Sequence, residues 1–292
     1  MAQYPIGRIV VQPIVESICT GFEPLGFFPG TTREDWARHR SWMEPRALDP
    51  ASGNLVLTIQ GFLVRTRHHT IVIDTCVGDH KPRAARPFWH MQKLNTFLPR
   101  LAAAGVRPED VDYVLCTHLH WDHVGWNTRL RDGRWVPTFP NAKYVFAQAE
   151  WENFEALHRK TPQPQMEDSL LPVMEARQAE LVASDFALDD EVWLEPSPGH
   201  TMGHVCVRLA SQGAEAVITG DCIHSPVQCA EPQWIMRSDA DPGLACATRR
   251  GFLERYCDSR VMVCASHFPE PSIGRVVERE KAFGFDYDTA GG

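Results

Sequence analysis

The chain has 292 residues, of which 43% are hydrophobic and 23% are charged, and its formal net charge at pH 7 is −8. This balance is typical of a globular protein and excludes an intrinsically disordered one. No apolar run approaches the roughly 20 residues that cross a bilayer, which argues against a membrane partner. The lysines and arginines are dispersed rather than gathered in a basic patch, which argues against a nucleic-acid partner.

The cysteines and the opening residues both predict a cytoplasmic protein. The nine cysteines are an odd number and include no C-x-x-C pair. We therefore expect reduced thiols that pack as small apolar side chains, not a disulfide framework. The opening segment, MAQYPIGRIVVQPIVE, lacks the basic head and apolar core of a secretory signal.

The first part of the chain predicts mostly strands. Residues 1–50 are rich in proline, glycine and aromatic side chains, and they predict one strand at about 9–18 followed by irregular structure. The spacing of apolar residues predicts a helix over 90–104. Further strands are predicted at 55–64, 70–73 and 111–117.

The second part alternates between the two kinds of element, after a predicted loop at 127–140. Helices are predicted at 150–157, 168–183 and 242–256, and strands at 144–147, 192–194, 204–209, 216–219 and 261–264. This alternation favours a layered α/β fold. No linker or repeat interrupts it, so we expect a single domain over 1–292. A dinucleotide-binding fold is disfavoured because no G-x-G-x-x-G follows an early strand.

The motif T-H-L-H-W-D-H-V-G carries the clearest chemistry. His118 and His120 lie at the end of a predicted strand, where alternate residues share a side, so both imidazoles can grip one ion. Asp122 and His123 follow as the chain turns, and they can face a neighbouring position. Gly125 leaves room where the backbone passes close to the site. Imidazole and carboxylate groups are ligands of zinc and similar ions.

This motif resembles the metallo-β-lactamase superfamily, and three further ligands of that family match the chain in the same order. They are His200 in P-G-H-T-M-G-H, Asp221 in I-T-G-D and His267 in A-S-H-F. The resemblance covers most of the chain. It implies a four-layer αβ/βα sandwich. The segment around 127–184 is long enough to supply a helical cap, and such a cap favours a small-molecule substrate over a polymer.

The resemblance also implies two divalent metal ions. It assigns His118, His120 and His200 to the first ion, Asp122, His123 and His267 to the second, and Asp221 to both. His204 and Asp74 are expected to support these ligands rather than to bind metal. Zinc is the expected metal, with iron, manganese and cobalt as alternatives. The remaining histidines are expected to be structural or on the surface: His39, His68, His69, His80, His90 and His158.

Such a pair of ions defines a hydrolytic mechanism. Two cations lower the pKa of a shared water, so that a metal-bridging hydroxide is available near neutral pH to attack a carbonyl or phosphorus centre. Asp122 is expected to hold the proton of this nucleophile and to pass it to the leaving group.

Residues near the predicted ligands narrow the range of possible substrate classes. The bridging position of the zinc β-lactamases is usually Cys or Ser, whereas Asp221 stands here, so a dedicated β-lactamase is disfavoured. The stretch G-D-C-I-H-S-P-V-Q is similar to the methyl-parathion-hydrolase-like branch, with the N-acyl-homoserine lactonases as the neighbouring branch. In those lactonases a Tyr commonly contacts the substrate carbonyl at the position of His224. A His can donate a hydrogen bond to the same oxygen, and Trp121 and Phe268 are expected to line an apolar pocket.

The predicted function is hydrolysis of a small hydrophobic ester or lactone, with aryl phosphotriesters as a further substrate class. The alternatives on the same fold are a one-iron thiol dioxygenase, which would use His118, His200 and Asp221, and a β-lactamase-type amide hydrolase. A ligand-binding protein with a relic site is the alternative outside enzymes, and the complete ligand set argues against it. A homodimer is expected by family resemblance alone.

Overall fold

The computed structural model describes residues 2–280 and 282–289. Its strands are β1 (Tyr4–Ile6), β2 (Ile9–Phe22), β3 (Leu55–Arg65), β4 (Thr70–Ile73), β5 (Tyr113–Leu115), β6 (Thr128–Arg131), β7 (Arg134–Pro137), β8 (Lys143–Ala147), β9 (Ala179–Val182), β10 (Val192–Pro196), β11 (Val205–Ser211), β12 (Ala214–Ile218), β13 (Met262–Cys264), β14 (Ile273–Arg279) and β15 (Ala282–Tyr287). Its α-helices are α1 (Pro24–Phe27), α2 (Arg33–Met43), α3 (Phe97–Ala103), α4 (Gln148–Lys160), α5 (Leu171–Glu175), α6 (Val227–Ala230) and α7 (Pro242–Tyr256).

The chain divides into two compact units. Unit 1 comprises Met1–Ser17 and Ile59–Phe186, and unit 2 comprises Ile18–Thr58 and Ala187–Gly292. The predicted single domain over 1–292 stays a prediction. Within the described part of the chain, no helix combines the length and apolarity needed to cross a membrane.

Unit 1 is built around a seven-stranded sheet of order β1-β2-β3-β4-β5-β8-β9. Strands β4, β5, β8 and β9 pair in parallel. Strands β4, β5 and β8 are nearly continuous buried apolar runs, as expected for strands covered on both faces. Because β4 and β5 are parallel, the residues that follow them emerge at one edge of the sheet.

Unit 2 is built around a six-stranded sheet of order β10-β11-β12-β13-β14-β15. Strands β12 and β13 are its parallel pair among the described residues, and the other neighbours are antiparallel. One core cluster packs α7 residues such as Leu253 and Tyr256 with Val217 and Val263 of the sheet. A second cluster includes the rings of Phe28, Trp36 and Trp234.

The α/β class is confirmed, and so are the strands predicted at 55–64, 70–73, 144–147 and 192–194. The helix predicted over 90–104 is wrong in its first half, because only Phe97–Ala103 is helical. Met91 and Asn95 have φ angles of 54° and 49°, in the left-handed region that interrupts a right-handed helix. The carboxylate of Asp79 instead accepts hydrogen bonds from the backbone amides of Leu94 and Asn95.

The loop predicted at 127–140 is wrong, because β6 and β7 pair there as an antiparallel hairpin. The segment 127–184 as a whole is helical only in its middle. It contains the β6–β7 hairpin, α4, a π-helix over Met166–Leu170 and α5, and strands β8 and β9 of this segment belong to the seven-stranded sheet. The helix predicted over 168–183 is therefore wrong after α5. Arg177 has a φ of 57°, and residues 179–182 pair with β8. Tertiary pairing decides the conformation there, not helix propensity.

Several elements were not predicted, among them α2, β14 and β15. Residues 33–43 form α2, whose first turn is closed by a capping box in which the Thr32 hydroxyl accepts from Asp35 N and the Asp35 carboxylate accepts from Thr32 N. Strands β14 and β15 form a hairpin near the end of unit 2.

All nine cysteines are free thiols.

Candidate metal centre

The T-H-L-H-W-D-H-V-G motif follows β5 at the carboxyl edge of the unit 1 sheet. Nε2 of His118 lies 3.0 Å from Nδ1 of His120. The rings of His118 and His123 have centroids 4.1 Å apart. His118 and His123 are buried, whereas His120 and Asp122 are half-buried. Unit 1 thus gathers four of the seven predicted ligands on one short turn, with two ring nitrogens in van der Waals contact.

Asp74, which follows β4, holds this turn in place. Its carboxylate accepts hydrogen bonds from the Thr117 backbone amide and the Thr117 hydroxyl, both at 2.8 Å. Its Oδ2 also lies 2.9 Å from Nδ1 of His123. The Thr117 oxygen in turn lies 3.1 Å from Nδ1 of His118. Asp74 therefore orients two predicted ligands, as expected for a supporting residue.

Two residues fix the loop that follows Asp74. Glu16 accepts hydrogen bonds from the backbone amides of Val77 and Gly78 at 3.1 Å and from Nε1 of Trp126 at 2.7 Å. A Cβ on Gly125 would lie 1.8 Å from the Val77 carbonyl oxygen, so only glycine fits there. The predicted role of Gly125, a close backbone approach, is confirmed.

In unit 2, three histidines converge on one carboxylate. Oδ2 of Asp221 lies 3.1 Å from Nε2 of His200 and 3.1 Å from Nε2 of His224. Oδ1 of Asp221 lies 3.0 Å from Nε2 of His267. These residues are all buried. They follow β10, β12 and β13 directly, so the sheet of unit 2 sets their spacing.

The opposite ring nitrogens face fixed hydrogen-bond acceptors. Nδ1 of His200 lies 3.0 Å from Oδ1 of Asp239, and Nδ1 of His267 lies 2.9 Å from the carbonyl oxygen of Thr58. His204 is not directed at the carboxylate: its Nε2 accepts a hydrogen bond of 2.9 Å from the Asp221 backbone amide. The prediction that His204 supports the site agrees with this contact.

These partners determine where the ring protons lie. A carbonyl or carboxylate can only accept, so His200 and His267 each carry a proton on Nδ1 and, when neutral, present a lone pair on Nε2. Both lone pairs then face the Asp221 carboxylate, which also offers only lone pairs. In unit 1, His123 is held in the same way by Asp74. A divalent cation relieves this repulsion, so the donor set fits a metal site.

The electrostatics of unit 2 point the same way. Burial by itself lowers the pKa of His200, but the carboxylates of Asp221 and Asp239 outweigh burial and raise the pKa to about 9. For His224, burial is the larger effect and lowers the pKa. The carboxylates therefore stabilise positive charge on the His200 ring, and a cation held at its Nε2 would meet the same negative charge of Asp221.

The two residues predicted to line a pocket, Trp121 and Phe268, differ in burial. Trp121 is half-buried, and its ring centroid lies 4.6 Å from that of Trp89, which lies 4.3 Å from that of Phe88. Phe268 is fully buried in the core of unit 2, 4.9 Å from Phe285. Its contacts are those of a packing residue, and its predicted place in a pocket stays a prediction.

Sequence reasoning missed several residues that support the site. Asp239 lies in D-A-D-P, a stretch that had only a family likeness and no assigned role. No sequence pattern marks Arg249 or Glu150 as a supporting residue. A charged residue in a helix has the same sequence context whether its side chain is buried or exposed to solvent. Glu150 is 1% exposed and accepts a hydrogen bond of 3.0 Å from the Leu119 backbone amide. Several histidines make structural contacts, as predicted for them: His39 with Glu231, His90 with Arg83 N and His158 with Gln163 N.

The fold and the paired histidine–aspartate sets define a class of metal-dependent protein, and sequence comparison gives its family. A model of the metallo-beta-lactamase superfamily matches residues 57–233. The chain belongs to the metallo-beta-lactamase superfamily.

Curated relatives include N-acyl homoserine lactonases. The enzyme of Bacillus cereus is 24% identical over 177 residues, which are 57% of this chain and 64% of that enzyme. The enzyme of Bacillus thuringiensis is 27% identical over 189 residues, which are 59% of this chain and 69% of that enzyme. The match thus spans about two thirds of these relatives.

Solved structures share the fold over nearly the whole chain. AidC, a dizinc quorum-quenching lactonase solved with a product, has a TM-score of 0.78 at 19% identity and covers 98% of this chain and 97% of its own. The hydrolase AbOPH has a TM-score of 0.80 at 23% identity and covers 98% of both chains. The predicted metallo-β-lactamase fold is confirmed.

Proposed function

We propose that the protein is a dinuclear metal-dependent hydrolase that opens a small neutral lactone or cleaves a related ester. The observation that carries the proposal is the convergence of imidazole nitrogens on the Asp221 carboxylate: Nε2 of His200 and Nε2 of His267 lie within 3.1 Å of it, and acceptors hold the Nδ1 atoms of both rings. The lactonase relatives support the reaction class. Solved neighbours described as a dizinc lactonase and a hydrolase support the metal count and the chemistry.

The proposed ligand sets follow from the donors in each unit. Unit 1 would supply His118, His120, Asp122 and His123 to the two ions, and unit 2 would supply His200, Asp221 and His267. Imidazoles and carboxylates in this ratio suit zinc. When bound, the two ions supply Lewis acidity and lower the pKa of water.

The chain's own residues supply the proton transfers and the orientation. Asp122 is half-buried, so its carboxylate can take the proton of the attacking water and deliver it to the departing alkoxide. His224 is buried with Nε2 3.1 Å from Asp221 Oδ2. In this position we assign it the hydrogen bond to the carbonyl oxygen of the substrate, which stabilises the charge that develops there.

Aromatic side chains favour a hydrophobic substituent on the substrate. Trp121 lies between two proposed ligands in sequence, and Trp89 and Phe88 extend its ring contact outward. Phe88 is 50% exposed. A series of rings that runs from half-buried Trp121 through buried Trp89 to exposed Phe88 suits the acyl chain of a lactone or the aryl group of an ester better than a polar polymer.

The test is a substrate panel on the zinc-loaded full chain. We expect kcat/KM for N-acyl homoserine lactones and aryl esters to exceed that for β-lactams and phosphodiesters, and an Asp221→Asn variant to lose activity on all of them. Metal analysis of the same sample should give two ions per chain. One iron per chain together with oxygen consumption would favour a thiol dioxygenase instead, and a β-lactam at the head of the panel would contradict the substrate class. Aryl phosphotriesters complete the panel, since that activity is a further expectation for this site.

A further inference from the structure

We propose that Arg249 is a positioning residue of the metal centre, acting through Asp239 on His200 and through a direct hydrogen bond on the turn that carries Asp221. The inference rests on the proposed metal site. It assigns to helix α7 a role that the ligand set does not contain, which is to hold two ligands of unit 2 at a constant separation.

Arg249 is the largest fully buried side chain in the described part of unit 2, with 0% exposure. Its Nε donates to the carbonyl oxygen of Cys222 at 3.1 Å, one residue after Asp221. Its Nη1 donates at 2.9 Å to each of the carbonyl oxygens of Pro232 and Trp234. One guanidinium therefore joins the Asp221 turn to the loop that precedes Asp239, using the fixed fork of donors that only arginine has.

Asp239 completes the connection to His200. Its Oδ2 lies 3.6 Å from Nη2 of Arg249 and accepts a hydrogen bond of 2.8 Å from the Met236 backbone amide. Its Oδ1 lies 3.0 Å from Nδ1 of His200. A buried carboxylate needs a nearby positive charge to stay ionised. Arg249 supplies that charge, and the carboxylate of Asp239 fixes the orientation of the His200 ring through its contact with Nδ1.

The same helix also fixes the loop that carries His200. A Cβ on Gly199 would lie 2.3 Å from the backbone nitrogen of Ala245, so the loop rests directly on α7. The hydroxyl of Thr248 donates to the carbonyl oxygen of Pro198 at 2.7 Å. Thr248 and Arg249 thus hold the loop before His200 and the turn after Asp221 from adjacent positions on one helix.

The experiment measures zinc affinity and ligand geometry in the metal-loaded full chain. Arg249→Met, Asp239→Asn and the double variant are compared with Arg250→Met, a control at the neighbouring exposed position. Zinc affinity is read by competition with a chromophoric chelator, and ligand geometry by the visible spectrum of the cobalt-substituted protein. We expect Arg249→Met and Asp239→Asn each to weaken zinc binding by roughly 10- to 100-fold and to alter the cobalt spectrum. The double variant should lose less than the two single losses combined, because both act through His200.

A His200→Ala variant distinguishes a failure of the proposed metal site from a failure of the positioning role of Arg249. If it leaves zinc binding unchanged, the proposed metal site itself is wrong. If it weakens binding while Arg249→Met and Asp239→Asn match the control in affinity and spectrum, the positioning role alone is wrong and Arg249 serves only stability. Should Arg249→Met not fold, Arg249→Lys takes its place. It keeps the charge beside Asp239 but loses the fork, and an unaltered cobalt spectrum in both Arg249→Lys and Asp239→Asn would overturn the proposal.

Discussion

Oδ2 of Asp74 lies 2.9 Å from Nδ1 of His123, and the same carboxylate accepts two hydrogen bonds from Thr117. One side chain at the end of β4 therefore sets the direction of the histidine turn that follows β5. The two strands are parallel neighbours, so this contact joins the ends of adjacent strands. The pairing of β4 with β5 therefore determines the position of the histidine turn.

The first prediction concerns Asp74→Asn. Asparagine tolerates the φ of 57° at this position but removes the charge that keeps the His123 proton on Nδ1. We expect zinc affinity to fall roughly 10- to 100-fold, measured by chelator competition. Asp112→Asn is the control, because Asp112 is exposed and caps the Thr70 backbone amide away from the ligands. Equal zinc affinity in the two variants would contradict the assigned role of Asp74.

The second prediction concerns Trp121→Ala. If the rings beside it bind the hydrophobic part of the substrate, the variant should lose about tenfold in kcat/KM for long acyl chains, which corresponds to about 1.4 kcal/mol of lost apolar contact. Short-chain lactones should be nearly unaffected, and the loss should appear in KM. Trp42→Ala, at a tryptophan that is 48% exposed on α2, is the control. A loss of kcat that is independent of chain length would argue against a binding role.

The third prediction concerns pH and Glu16. Burial raises the pKa of Glu16 from 4.5 to about 7, although four hydrogen-bond donors oppose the rise. Above pH 4.5 the carboxyl group ionises in the unfolded chain but stays protonated in the folded protein. Its contribution to stability is therefore complete below pH 4.5 and is lost as the pH rises to about 7.

The loss amounts to about 3 kcal/mol, at about 1.4 kcal/mol for each tenfold change in proton affinity. Urea unfolding of the wild type and of Glu16→Gln between pH 4.5 and 8 measures it. The free energy of unfolding of the wild type relative to the variant should fall over this range and then level off. A difference that is constant with pH, or one that grows, would show that Glu16 is already ionised in the folded protein.

The fourth prediction concerns Gly125→Ala. The added methyl group would meet the Val77 carbonyl oxygen at 1.8 Å, and backbone cannot move aside as a flexible side chain can. We expect a loss of at least about 2 kcal/mol in unfolding free energy together with weaker zinc binding. Gly251→Ala is the matched control, since nothing lies within 4 Å of its added Cβ in α7, and it should gain up to about 1 kcal/mol. Similar stabilities for the two variants would be inconsistent with the close approach at Gly125.

The sequence was sufficient to predict the fold family, and the proposed metal ligands also rest on local signals. A candidate ligand that follows a short apolar strand can be recognised from its sequence neighbours alone, as with Asp221 after β12 and His267 after β13. Each residue type also matches the chemistry of a metal site, so order and residue type together support the ligand set.

The residues that orient the donors could not be predicted. Arg249 has the same sequence context as an exposed helix arginine, and only the packing of α7 reveals that it is buried among carbonyl oxygens. The interrupted helix before Phe97 had apolar spacing of the right period, but Asp79 holds the preceding backbone in another form. Pairing with β8 likewise overrides the helical tendency of residues 179–182.

The proposed metal ligands follow strand ends, whereas the aromatic rings near Phe88 lie on a different segment, and this arrangement has an evolutionary consequence. The donors are fixed by sheet register and buried partners, and a substitution among them would disturb several contacts at once. Phe88 and its neighbours lie on a segment outside regular secondary structure and take no part in any strand pairing. Mutation can therefore exchange the chemical groups that meet a new substrate while the reactive centre is inherited intact, so closely similar sequences of this kind can diverge in preference long before they diverge in reaction.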